Sequence, residues 1–202
     1  MKSFLPMLAT AAIAPCAFAQ DADDSGWYAG LGYEYLQEDD TSFDYGAVTV
    51  TGGLNLTPMF GVELSAATGV SGDEWFQPGE QVNDPLLGDV LTPDQRSSGD
   101  LNYRVDLMGV ARVPITSRIN LIGKLGVSNW EYESTFESMN SPDFPDQHAT
   151  SKTSGTGLAG SLGAEMFLTD TLSLEGAYSH YEEQGLMEDE VKGYQLRLKR
   201  RF

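Results

Sequence analysis

Tyr194-Gln195-Leu196-Arg197-Leu198-Lys199-Arg200-Arg201-Phe202 decides how the rest of this 202-residue sequence is read. Tyr194, Leu196, Leu198 and Phe202 alternate with Gln195, Arg197, Lys199 and Arg201, and a period of two belongs to a β-strand. One face is apolar and aromatic; the other is cationic. Arg200 interrupts the apolar face close to the end, where a long cationic side chain can reach a membrane–water boundary along its own aliphatic stem. Such a strand turns its apolar face either inward to a core or outward to lipid.

The same alternation predicts seven earlier strands. Trp27, Ala29, Leu31, Tyr33 and Tyr35 share a face in the first, and Val48, Val50, Leu54 and Leu56 oppose Thr49, Thr51 and Asn55 in the second. Phe60, Val62, Leu64, Ala66 and Val70 alternate with Gly61, Glu63 and Ser65 in the third. The fourth sets Leu101, Tyr103, Val105, Leu107, Ala111 and Val113 against Asn102, Arg104, Asp106 and Arg112. Ile119 to Ser128, Leu158 to Leu168 and Leu172 to Ser179 complete the set. Three connections are tight turns, near 57–59, 114–117 and 169–171. The other four, at about 37–44, 71–100, 131–153 and 181–192, are long and hold 21 of the 30 acids. Short turns on one side and long loops on the other describe an up-and-down barrel that crosses a bilayer with strands of ~10 residues.

Lys2 precedes an uncharged, largely apolar run from Phe4 to Phe18 that ends in Ala17-Phe18-Ala19, an A-x-A cleavage site. Residues 1–19 are therefore expected to be a cleaved signal peptide and 20–202 one barrel domain. Cys16, the only cysteine, lies in the signal; a lipid anchor there needs a small residue where Pro15 stands. No disulfide or thiolate chemistry is then expected in the mature chain. A formal charge of −18 excludes nonspecific nucleic-acid binding, which requires clustered Lys and Arg.

Taken together, Trp27-Tyr28-Ala29-Gly30-Leu31-Gly32-Tyr33, Tyr45 to Phe60 with its Thr-Pro turn, the Leu168 to Leu174 hairpin and Phe202 resemble the eight-stranded outer-membrane β-barrel family, which includes opacity-type proteins and the OmpA transmembrane domain. The resemblance implies an all-β, eight-stranded antiparallel transmembrane barrel in the cell outer membrane, with both termini periplasmic and acidic loops outside. It also implies an assembly signal in Tyr194, Leu196, Leu198 and Phe202, read by the barrel assembly machinery with periplasmic chaperones. Outer-membrane lipid and lipopolysaccharide are the implied surroundings, and the expected state is a monomer without cofactor.

Charges within the strands fall on the polar face. Glu34, Glu63, Asp106, Glu165 and Glu175 are acidic, and Arg104, Lys124, Arg197 and Lys199 basic. Side chains just fill the interior of an eight-stranded barrel, so Arg104, Lys124 and Arg197 are expected to pair with several of these acids and close the lumen. A soluble periplasmic barrel for a small apolar ligand would invert every face. Aromatics at strand ends (Trp27, Tyr33, Tyr35, Phe60, Tyr103, Tyr178, Tyr194, Phe202) favour the membrane, where they form girdles at the two interfaces.

Other motifs carry less. Gly155, Gly157 and Gly160 spell G-x-G-x-x-G, but strand alternation continues through Leu168, so no helix follows to hold a pyrophosphate. Asp21 to Gly26 begins like a calcium loop, yet position twelve is Gly32. The loop carboxylates suit a divalent cation without showing a ligand spacing. A lipid-modifying enzyme would draw its base from His148, near Ser151, or from His180, beside Ser179 and Glu182. The primary expectation is a non-catalytic structural or surface-interaction role, with Trp75, Phe76, Phe136 and Phe144 as contact anchors in the loops.

Overall fold

Eleven β-strands form among the described residues of the computed structural model, which are 26–38, 44–71, 74–79, 81–84, 88–139, 146–184 and 189–202. The expected signal peptide at 1–19 with its Cys16, residues 21–25 of the stretch that begins like a calcium loop, and Phe144 lie outside them. The strands are β1 (Trp27–Glu38), β2 (Asp44–Asn55), β3 (Phe60–Ser71), β4 (Glu74–Gln77), β5 (Gln81–Asp84), β6 (Gly88–Leu91), β7 (Asp94–Pro114), β8 (Ile119–Met139), β9 (Gln147–Phe167), β10 (Leu172–Gln184) and β11 (Asp189–Arg201).

Eight of them close a barrel. Neighbours run β3-β2-β1-β11-β10-β9-β8-β7, and β7 returns to β3. The seam pairs β1 with β11, from Tyr28 opposite Arg201 to Glu38 opposite Val191. All wall pairings are antiparallel. β4 adds beside the upper part of β7, and β5 and β6 form a separate hairpin.

One device makes all three tight turns: Leu56-Thr57-Pro58-Met59, Ile115-Thr116-Ser117-Arg118 and Leu168-Thr169-Asp170-Thr171. In each, the threonine hydroxyl accepts a backbone N–H two residues ahead, at 3.2–3.4 Å. In the first and third it also accepts the N–H three ahead, at 2.9 and 3.0 Å. A side chain that satisfies the turn's own backbone lets the chain reverse without a glycine.

The wall is taller than the apolar alternation predicts. β7, β8 and β9 run for 21 residues each, so most of the stretches expected as loops at 94–100, 131–139 and 147–153 are strand. Their residues are polar and β-branched rather than apolar, for example Thr135, Thr150 and Thr153. They carry no hydrophobic period, yet they keep the ladder because each strand pairs with its neighbour. β10 and β11 likewise extend through Gln184 and from Asp189.

Leu101 corrects a second expectation. Alternation puts it on the same face as Tyr103, but it is buried inside the barrel while Tyr103 faces out. The β7–β8 register shifts between these residues, so Asn102 is the extra residue of a bulge, and the parity of β7 flips there.

Candidate functional site: the lumen and the wall above it

Parity on each strand sends one set of side chains inward. Tyr28 and Glu34 come from β1, Thr49 and Thr51 from β2, Glu63 and Ser65 from β3. Arg104, Asp106 and Arg112 come from β7, Lys124 and Ser128 from β8, Glu165 from β9, Glu175 from β10, and Gln195, Arg197 and Lys199 from β11. The buried charges among the described residues are five carboxylates and five cations. Leu31, Val62, Leu64, Leu107, Leu125, Leu162, Leu196 and Leu198 point outward and are exposed. That orientation is the reverse of the one a soluble barrel for an apolar ligand requires.

The buried charges form two linked groups. In the lower one Lys124 Nζ donates to Glu63 at 2.7 Å and to Glu175 at 2.6 Å. Arg197 donates to Glu63 at 2.7 Å and lies 3.9 Å from Glu175. Lys199 lies 2.7 Å from both Glu175 and Glu165, and Arg112 is 3.7 Å from Glu165. The Tyr28 hydroxyl donates to Glu63 at 2.8 Å, and Ser173 donates to Glu165 at 2.6 Å. In the upper group Arg104 bridges Glu34 and Asp106. Tyr181 and Gln195 donate to Glu34 at 2.8 and 2.6 Å, and Ser128 donates to Asp106 at 2.6 Å. The Arg104 guanidinium also stacks 4.1 Å from the Tyr181 ring centroid.

All eight candidate lumen residues, Glu34, Glu63, Arg104, Asp106, Lys124, Glu165, Glu175 and Arg197, thus face one interior. Sequence reasoning left out Arg112, Lys199, Gln195, Tyr28 and Tyr181 as partners. Parity carried a signal for the first four; Tyr181 was hidden because it fell in an expected loop. Below the network a vestibule of about 730 Å³ opens at the mouth formed by the tight turns, reaching up to Tyr28, Arg112, Glu165 and Lys199.

Above the network the lumen changes character. The strand parity predicts a lumen closed by polar and ion-pair side chains, and its upper part is closed instead by an apolar and aromatic cluster of Leu36, Tyr45, Ala47, Leu101, Trp130, Tyr132, Tyr181 and Val191. The Tyr132 ring lies 5.4 Å from Tyr45 and 5.5 Å from Trp130. Trp130 lies flat over Gly155, where a methyl group would sit 2.7 Å from Trp130 Cζ2. Gly53 makes the same kind of room for Tyr28. These glycines are sites of close approach, filled from the facing strand.

The outward face changes at the same height. On β8, Ile119, Leu121, Leu125 and Val127 are exposed apolar residues, and the next outward residues are Asn129, Glu131 and Glu133. Ile119 to Val127 is nine residues, the length of a tilted membrane-crossing strand. Tyr35, Tyr194 and Tyr178 sit in one register across β1, β11 and β10, and the last two rings meet edge to face at 5.5 Å. This row marks the upper interface. Arg200 is exposed at the lower end and lies 5.6 Å from the Phe202 ring.

Beyond that level the outer face is polar. Lys152 reaches Glu133 at 2.9 Å and Glu131 at 3.4 Å, and Asn102 donates to Glu131 at 2.9 Å. The hydrogen bonds from Lys152 and Asn102 hold the Glu133 carboxyl below the usual carboxylate range, and Glu133 in turn raises the Lys152 ammonium. His148 meets Glu137 at 3.2 Å. Strand alternation separates His148 from Ser151, and Ser179 is buried in the lumen while its neighbour His180 points out. Neither candidate Ser–His set is therefore assembled. Among the described residues no group of three or more His, Cys, Asp or Glu side chains is placed to hold a metal ion. Phe76 and Phe136 are exposed on the upper wall.

Residues 4–202 match the family described as outer membrane protein beta-barrel domain. The chain belongs to this family. In fold it is similar to Ail, the attachment invasion locus protein of Yersinia pestis, at 18% identity and a TM-score of 0.51, over 88% of this chain and 97% of that one. It is also similar to OprG of Pseudomonas aeruginosa, at 17% identity and a TM-score of 0.50, over 88% and 96% of the two chains. No curated protein matches the sequence. As an outer-membrane barrel, it lies with the apolar belt in lipid.

Proposed function

We propose that this protein is a non-catalytic outer-membrane barrel that acts through its extracellular wall, with a lumen closed to solutes. The observation that carries the reading is the continuation of β7, β8 and β9 well past the apolar belt as a sheet with a polar outer face, above an interior filled by ion pairs and aromatic rings. A filled lumen has no use for a tall rim; a surface that meets something outside the cell does. The separated Ser and His side chains support the non-catalytic part. Export by the signal peptide at 1–19, a monomeric state, and contact of the acidic wall with lipopolysaccharide complete the reading.

Cells with and without the protein should differ in attachment or envelope integrity while their lipid A and phospholipid profiles stay the same. A changed lipid profile would favour an enzyme. Planar-bilayer recordings should show no large, stable conductance, and a reproducible channel of porin size would refute the closed lumen. Tyr194, Leu196, Leu198 and Phe202 form the assembly signal in this reading. Deleting Phe202 should sharply lower the folded yield in cells, yet refolding from urea into vesicles should proceed nearly as in wild type, because the ring's packing is worth at most ~1–2 kcal/mol.

A further inference from the structure

We propose that the vestibule at the mouth formed by the tight turns is a binding site for a phosphate group, carried by a small solute or by a lipid headgroup. Short turns mark the periplasmic end of such a barrel, so the site lies opposite the extracellular wall and stands apart from that wall's role.

This mouth collects positive charge. The chain carries 12 Lys and Arg against 30 Asp and Glu, yet four of those cations, Arg112, Arg118, Lys199 and Arg201, line this one cavity. Glu165 and Asp170 are the acids of the lining, and the Phe202 carboxylate adds a third negative charge. The wall is thus net positive in a chain of net charge −18. Strand parity explains the collection. Arg112 continues the inward row of Arg104 and Asp106 on β7, and Arg201 that of Arg197 and Lys199 on β11. Arg118 stands two residues before Asn120, which heads the inward row of β8.

The four cations are not equally engaged. Lys199 lies 2.7 Å from both Glu165 and Glu175, and Arg201 covers the Phe167 ring at 4.2 Å. Arg112 is held loosely. It is only 6% exposed, yet its Nε is 3.7 Å from Glu165, too long for a hydrogen bond, and its Nη1 is buried with no acceptor. Asn55 Oδ1 is likewise buried and unpaired. A Cβ on Gly61 would lie 3.1 Å from Arg112 Nη1 and 3.4 Å from Asn55 Cα, so this glycine brings both side chains to one corner of the cavity. A guanidinium buried short of an acceptor is costly, and an oxyanion entering the vestibule supplies the missing partner. Turning Arg112 toward it gives up no hydrogen bond.

The arrangement favours phosphate over a carboxylate. A carboxylate offers two oxygens in one plane, which a single guanidinium fork satisfies. A phosphate presents oxygens on several sides and accepts cations from several directions. Here Arg112 comes from β7, Arg118 from the turn before β8 and Arg201 from β11. A cavity of about 730 Å³ has the size of a small-molecule site. All three tight turns ring its mouth, and the ion pairs of Lys124 and Arg197 close its floor, so a ligand enters and leaves by one opening.

The test uses the mature chain in phosphatidylcholine nanodiscs, with glycerol phosphate titrated against backbone amide shifts. The ester should shift the amides of Gly26 and of 115–118 in a saturable way, and acetate should bind at least about tenfold more weakly. Arg118→Gln, on an exposed turn that the fold does not need, should weaken the ester by about tenfold. Lys152→Gln, on the outer wall, should leave the affinity unchanged. Absence of saturable shifts at these amides, equal binding of acetate, full affinity in Arg118→Gln, or an equal loss in Lys152→Gln would overturn the site. Nanodiscs enriched in phosphatidylglycerol separate the two sources. If the same amides shift before any ester is added, the phosphate belongs to a lipid; if they do not, it belongs to a solute, and either result upholds the site.

Discussion

Two halves of β8 obey opposite patterns. Below Ser128 the strand turns Leu121, Leu125 and Val127 outward and Lys124 inward; above it the strand turns Glu131 and Glu133 outward and Trp130 and Tyr132 inward. The switch recurs around the barrel. Inside, Glu34 gives way to Leu36 on β1, Ser179 to Tyr181 on β10, and Gln195 to Val191 on β11. One rule produces both patterns: the face that meets hydrocarbon must be apolar, and the face that meets water must not. The strand has not changed, only its outer solvent. The inside takes the complementary residues, so the barrel is inside-out in the membrane and conventional above it.

The two halves also hold similar ion pairs at very different depths. Lys124 bridges Glu63 and Glu175 at 2.7 and 2.6 Å with almost no exposure; Lys152 bridges Glu133 and Glu131 in the open. Burial decides their energetic weight. Lys124→Met should destabilise the barrel by about 3–5 kcal/mol in urea unfolding from vesicles, because it leaves Glu63 and Glu175 short of a buried partner. A loss under about 1 kcal/mol would mean that Arg197 and Lys199 absorb both carboxylates and that burial depth does not set the weight of the pair.

The upper half is held by packing. Trp130→Ala should cost about 3 kcal/mol, the low end for a buried tryptophan, since Tyr132 can lean part-way into the space over Gly155. If this variant matches wild type, the aromatic cluster is not a core.

Position of the switch can be measured directly. Leu125→Lys, on the lipid face, should cost about 2–3 kcal/mol, whereas Asn129→Lys, four residues higher on the same face, should cost under about 1. Equal penalties would place Asn129 in the hydrocarbon and move the boundary upward.

Lys152→Met carries the smallest effect and is best followed by titration. A carboxyl held below its unfolded value stabilises the fold above that range and loses its contribution as pH falls through the folded value. In wild type, Glu133 should therefore titrate below an ordinary glutamate in a carboxyl-detected NMR experiment, and the substitution should return it toward the usual range with no resolvable change in unfolding midpoint. An unchanged titration would show that Asn102 alone holds the carboxylate.

Legibility in the sequence followed the reach of each signal. Tyr194 to Phe202 displays its strand and its two faces within nine residues, because a two-residue period is local. The inward parity of Glu34, Lys124 and Glu175 is visible for the same reason. Leu101 misleads because a bulge is one extra residue whose only trace is a flipped parity further on. The upper wall at 131–139 and 147–153 reads as loop because polar strands lack an apolar period. The repeated Leu/Ile-Thr-x-x turn was available in the letters, but the threonine's hydrogen bonds give it meaning.

By itself, then, the sequence determined the fold class, the side of each strand that meets lipid, and the set of charges sent inside. Only the tertiary structure decided which charges meet. Glu63 and Arg197 are 134 residues apart, Glu34 and Arg104 are 70 apart, and each bond exists because eight strands close with a particular stagger. Stagger also sets the height at which β10 leaves β9. These are properties of the whole ring, fixed when β1 meets β11, and no single strand's pattern carries them.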